Sequence, residues 1–104
     1  MDRVGCLAHV RRKFFEAAQF NSGAKKPLKL LDKMFYLERQ WKNLSESDRF
    51  KVRQEKLAPV FNEFWECLAR LPQLPKSPLG KAIKYAYGQK AAIDKLLWCT
   101  RSFK

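Results

Sequence analysis

Apolar residues recur along this chain at steps of three and four, and no segment alternates with period two. That pattern predicts helices packed through apolar stripes and argues against half-buried strands. From His9 to about Phe20, the positions Val10, Phe14 and Ala17 predict a first helix, stopped by the turn-forming Asn21-Ser22-Gly23. The short run from Val4 to Ala8 has no decisive period and reads either as the end of a strand or as the lead-in to that helix. Pro27 suits the first turn of a second helix, whose stripe is Leu30, Met34, Leu37, Trp41 and Leu44. Ser45 with Asp48 resembles a weaker capping box and predicts the start of a third helix.

The third stripe, Phe50, Leu57, Phe61, Phe64, Leu68 and Leu71, nearly repeats the spacing of the second, so the two helices are expected to form an antiparallel hairpin. Pro59 interrupts it and predicts either a kink or a break and restart; the stripe keeping phase across the proline favours the kink. Pro72, Pro75 and Pro78 make the segment up to Ser77 a stiff extended connector. Ser77 as N-cap and Pro78 at the first helical position open a last helix with the stripe Leu79, Ile83, Ala86, Ile93 and Leu97. Lys90 breaks that stripe, and Gly88 weakens the helix by ~1 kcal/mol relative to alanine, so fraying or a bend is expected near residues 88 to 90. The expected fold is all-α, a single domain over residues 1–104 of four or five helices around a central antiparallel hairpin. Its parts are a basic helix over 9–20, the hairpin over 27–71, the connector over 72–77, a basic helix over 78–98 and a tail over 98–104, with Val4 to Ala8 as a short strand remnant if it is not helical.

Charge changes this picture from a fold to a set of partners. Lys and Arg outnumber Asp and Glu by 22 to 10, for a net charge of +12, which makes polyanions, and nucleic acid first among them, the natural partners. The charge is polarised. Residues 1–44 carry ten basic and four acidic groups, 45–71 five of each, and 72–104 seven basic and one acidic. Two basic end segments therefore flank a neutral hairpin, a distribution suited to a nucleic-acid surface. No stretch reaches the ~18 apolar residues that a membrane span needs, and no small-molecule site is evident. Cys6, Cys67 and Cys99 are three in number, widely spaced and free of any CxxC motif, which argues against a disulfide framework or a zinc site and fits a reducing, cytoplasmic setting. The N-terminus lacks a signal-peptide h-region.

Within the basic ends, Arg11-Arg12-Lys13 is the densest cluster, although on a helix at most two of the three can face one DNA backbone. Lys81 and Lys84 lie three apart on one face near the start of the last helix, where free N–H groups also favour an anion. These five residues are the candidate DNA contacts. Catalysis has no candidates: His9 is the only histidine and has no visible nucleophile or metal-binding partner, and Glu63 and Glu66 read as solvated ion-pairing acids. The aromatic set Phe14, Phe15, Phe35, Tyr36, Trp41, Phe61, Phe64 and Trp65 lies largely at core spacing.

Two segments carry a family resemblance. Cys6-Leu7-Ala8-His9-Val10-Arg11-Arg12-Lys13-Phe14-Phe15-Glu16-Ala17 resembles the "GCWAHARRKFFEA" segment of the insertion sequence sixty-six family of transposases. Pro75-Lys76-Ser77-Pro78-Leu79-Gly80-Lys81-Ala82-Ile83-Lys84-Tyr85-Ala86 resembles that family's "PKSPLGKAIRYAL". Between them, Phe35-Tyr36-Leu37-Glu38 and Arg53-Gln54-Glu55 fall at the family's "LYxIE" and "RQE" stretches, so the resemblance covers roughly residues 4–97. It implies a parent enzyme of ribonuclease-H-like fold, with an Asp-Asp-Glu triad holding two magnesium ions for strand cleavage and transfer. In the family the second aspartate precedes the first segment and the glutamate follows the second, in "IDNNxAER"; this chain then corresponds to the helical insertion between those two acids, with no cofactor of its own. Departures are Leu7 for the family tryptophan, Gly88-Gln89-Lys90 for "NQW", and a tail from Trp98 that leaves the pattern, as a truncated element would.

The expected function is therefore that of a truncated transposase fragment that contacts DNA without strand transfer. The rival expectation is a helical interaction module, in which the hairpin mediates association with itself or with a complete transposase and the basic charge is incidental.

Overall fold

The computed structural model describes residues 3–71 and 76–98, and every regular element among them is helical. In chain order these are α1 (Arg3–Ala17), α2 (Lys25–Gln40), α3 (Glu46–Val52), α4 (Ala58–Arg70), α5 (Pro78–Gly88) and α6 (Lys90–Asp94). Short turns of 3-10 type cover Ser22–Ala24 and Lys95–Trp98, and a π turn over Arg53–Leu57 joins α3 to α4. Most of the expected connector and tail, residues 72–75 and 99–104, lies outside the described residues.

The strand alternative for Val4 to Ala8 does not hold, because α1 already begins at Arg3. Leu7, Val10, Phe14 and Ala17 are all fully buried. Spaced three, four and three apart, they make one helical stripe that runs through the ambiguous segment, so tertiary burial decides what the short run left open. The helix also stops earlier than expected. After Ala17 the backbone tightens into i→i+3 bonds, from Gln19 N–H to the Glu16 carbonyl and from Phe20 N–H to the Ala17 carbonyl. The Asn21 side chain then accepts a bond from Gly23 N–H at 2.8 Å.

The two serine caps form as the sequence predicts. Ser45 Oγ accepts from Asp48 N–H at 3.2 Å at the head of α3, and Ser77 Oγ accepts from Gly80 N–H at 2.9 Å at the head of α5. Arg49, one turn into α3, reaches back to donate to the carbonyls of Trp41, Lys42 and Leu44, closing the loop after α2. The helical backbone passes Pro59 without a break, as the favoured kink requires, and the irregularity is a π turn set directly before the proline. Ala58 N–H bonds the Arg53 carbonyl five residues back, and α4 then begins with the proline in its first turn, where a missing N–H costs little.

α2 packs against α4 in antiparallel fashion, α1 lies against α2 and α5, and the phenyl rings of Phe14 and Phe64 meet edge to face at 5.8 Å between α1 and α4. One layer of the hairpin seam is ionic. The third stripe skips from Phe50 to Leu57, and Arg53 fills the gap, fully buried, against Glu38, which is 4% exposed. The pair is bidentate, with Nε to Oε2 at 2.6 Å and Nη2 to Oε1 at 2.7 Å. Glu38 thereby takes the seam position that the stripe reading assigned to Leu37, which is only half-buried.

The last helix bends where Gly88 and Lys90 suggest. α5 ends at Gly88, Gln89 leaves helical geometry with φ −104° and ψ 6°, and α6 starts at Lys90. Lys90 remains in contact with the hairpin by a different chemistry from an aromatic. Its ammonium lies 4.9 Å from the Trp65 ring centroid and 2.7 Å from Asp94, whose other oxygen accepts from Trp65 Nε1 at 3.0 Å.

Candidate nucleic-acid interface

The stripe that buries Leu7, Val10 and Phe14 points Arg11, Arg12 and Lys13 three different ways, since successive helical residues are about 100° apart. Arg11 turns to α2, where Nε bonds Asp32 Oδ1 at 2.5 Å. Arg12 faces solvent beside Glu16, with a long 3.6 Å contact. Lys13 turns to α5, its ammonium 4.8 Å from the Tyr85 ring centroid.

The packing of α1 on α5 brings the two basic end segments together. Burial of Leu79, Ala82, Ile83 and Ala86 leaves Lys81 and Lys84 on the outer side of α5, exposed and without an ion pair among the described residues. Lys81 lies one turn before Tyr85, so Lys13 reaches the helix that carries both exposed lysines, on the side next to Lys81. The head of α5 adds less than expected, because Ser77 already occupies the Gly80 N–H. Of the five candidate contacts, the structure thus brings Lys13 to the helix of Lys81 and Lys84, leaves Arg12 on the open face of α1, and takes Arg11 to the opposite side.

That opposite side holds residues the sequence reading missed. A groove of about 450 Å³ between α1 and α2 is lined by Ala8, Arg11, Asp32, Phe35 and Arg39. Asp32 and Arg39 are seven apart, two turns on one face of α2, which is the signal that could have linked them to Arg11. Phe15 and Tyr36, read as core-spaced, are 49% and 53% exposed, and the Arg11 guanidinium lies 5.9 Å from the Phe15 centroid.

Glu63 and Glu66 are exposed at a hollow of about 280 Å³ shared with Ser22, Lys26, Cys67 and Arg70. Burial pushes the Cys67 thiol pKa up, with Lys26 and Arg70 opposing and Glu63 reinforcing that shift. His9 is exposed. Among the described residues no three His, Cys, Asp or Glu side chains come together as metal ligands. Glu38, Asp32 and Asp94 are each engaged by a cation. The exposed cations of α1 and α5 have the chemistry that suits phosphate oxygens.

Known proteins place the chain in context. The sequence profile described as "Transposase IS66 family" matches residues 1–99. An uncharacterized protein of Sinorhizobium fredii, y4hP, is 39% identical over 79 residues, covering 62% of this chain and 14% of that protein. A second from the same organism, y4jD, also uncharacterized, is 32% identical over 99 residues, covering 88% of this chain and 19% of its own length. The chain spans less than a fifth of either relative. No solved structure matches it.

Proposed function

The chain belongs to the IS66 family of transposases, and from that premise we propose that it is a helical DNA-contacting part of the transposition machinery that performs no strand transfer by itself. One observation carries this reading: Lys13 reaching Tyr85 joins the basic α1 segment to the α5 helix that carries Lys81 and Lys84, with no acid paired to either α5 lysine among the described residues. Arg12 adds a further exposed cation on α1. Such exposed cations track a phosphate backbone through counterion release, without reading bases. Family membership supports a transposition-related role, and the charge supports DNA as the partner.

The chain fits the helical insertion between the second and third acids of an Asp-Asp-Glu enzyme of ribonuclease-H-like fold. Strand cleavage, and the magnesium it needs, then belong to the parent's catalytic core, for which the donors described above supply no site. No described helix is long and apolar enough to cross a membrane.

Electrophoretic mobility shift with duplex DNA at two salt concentrations tests the reading. Phosphate binding predicts a steep fall in affinity with salt, and neutralising Lys81 and Lys84 together flattens the slope by about two. Absence of any shift at low salt refutes it. Light scattering on the same samples shows whether self-association accompanies binding.

A further inference from the structure

The groove between α1 and α2 differs chemically from the α1–α5 lysines. Its cations are guanidiniums, Arg11 from α1 and Arg39 from α2, with Phe35 in the lining and the half-exposed Phe15 extending the α1 side next to Arg11. Arg11 is held by Asp32, whereas Arg39 is exposed and meets no acid among the described residues. Duplex DNA gives such a surface only phosphates, because its bases are stacked away from it. A single strand offers both a phosphate for a planar guanidinium and an unstacked π face for the rings. The groove's volume of about 450 Å³ is that of a small-ligand site, large enough to take one nucleotide unit.

We propose that the α1–α2 groove binds an unpaired nucleotide of single-stranded DNA, with the base against Phe15 and Phe35 and the phosphate on Arg39. Asp32 is then a built-in competitor: it occupies Arg11 in the free protein and yields it to the incoming phosphate. The proposal rests on the DNA-binding reading above and adds a second site of different strand preference.

Fluorescence anisotropy of the full chain with a labelled oligothymidylate single strand, alongside a duplex of the same length, tests it. Phe15→Ala and Arg39→Ala are expected to weaken single-strand binding, the former by roughly five- to a hundredfold, while duplex binding and the helical circular dichroism stay unchanged. Asp32→Asn is expected to tighten single-strand binding about fivefold, the effect of removing one negative charge some 4 Å from a phosphate in water. That gain is one a merely structural role for Asp32 does not produce. Duplex binding without single-strand binding overturns this proposal and leaves the reading of the α1–α5 lysines standing. Single-strand binding that is insensitive to Phe15 and Arg39 and lost with Lys81 and Lys84 also overturns it. No binding of either DNA overturns both. Binding of an acidic peptide at the groove in place of the single strand overturns the nucleotide assignment alone.

Discussion

The buried pair of Arg53 and Glu38 is the most demanding feature of this core, and it makes a quantitative prediction. Arg53 is wholly buried, Glu38 is 4% exposed, and both hydrogen bonds are short and bidentate. Replacing Arg53 by Met leaves a carboxylate buried without its partner, and replacing Glu38 by Leu strands a guanidinium in the same way. Each single change is expected to cost about 3–5 kcal/mol, mostly the penalty of the orphaned charge. Against a total stability of about 5–15 kcal/mol for a domain of this class, that is a large share, and it lowers Tm by roughly 12–40 °C at ~4–8 °C per kcal/mol. The double variant Glu38→Leu with Arg53→Met presents two apolar side chains to each other in a seam already flanked by Met34, Trp41 and Leu57. It is expected to lie within about 1–2 kcal/mol of the parent, so the coupling between the two sites is several kcal/mol. Urea unfolding followed by tryptophan fluorescence and circular dichroism measures all four corners of the cycle, with a constant m-value confirming a common two-state transition. Single variants that cost less than ~1 kcal/mol, or a double variant that costs the sum of the singles, refute the reasoning.

Three further outcomes follow from local geometry. Gly88 has no neighbour within reach of an added Cβ and no positive φ, so Gly88→Ala is expected to stabilise the chain by up to ~1 kcal/mol in the same unfolding assay. An alanine at Gly23 meets Asn21 Oδ1 at 3.0 Å and Leu79 Cδ2 at 3.4 Å, so Gly23→Ala is expected to disturb the cap before α2 and destabilise by about 1 kcal/mol. Because burial raises the Cys67 pKa, the folded state holds the thiol proton more tightly than the unfolded state does. That contribution is complete below the ordinary thiol pKa and is lost as pH climbs through it toward the raised folded value. Cys67→Ala should therefore flatten the alkaline limb of stability against pH, measured with Cys6 and Cys99 already replaced by serine, and an unchanged limb counts against the assignment.

The all-α class was legible because its signals are local. Ser45, Ser77 and Asn21 cap within three residues, the three-and-four spacing of Val10, Phe14 and Ala17 belongs to one helix, and Gly88 with Lys90 marks the bend at Gln89. The candidate DNA residues were legible as a list but not as a surface. Adjacent residues of one helix diverge by about 100°, so which neighbour each meets depends on where α2 and α5 lie. Only packing sends Arg11 to Asp32 and Lys13 to Tyr85.

The buried ion pair shows the same division. Its signal was present, a gap at Arg53 in one stripe and Glu38 beside Leu37 in the other, but a charged residue in a stripe reads as exposed until a partner across the hairpin neutralises it. Periodicity, caps and composition thus suffice for helices, their order and a strongly basic charge, since each is read from residues close together in the chain. The helical state of Val4 to Ala8, the ionic seam layer and the two separate basic faces rest on contacts between residues far apart in the chain. Those contacts exist only once α1, α2, α4 and α5 have packed.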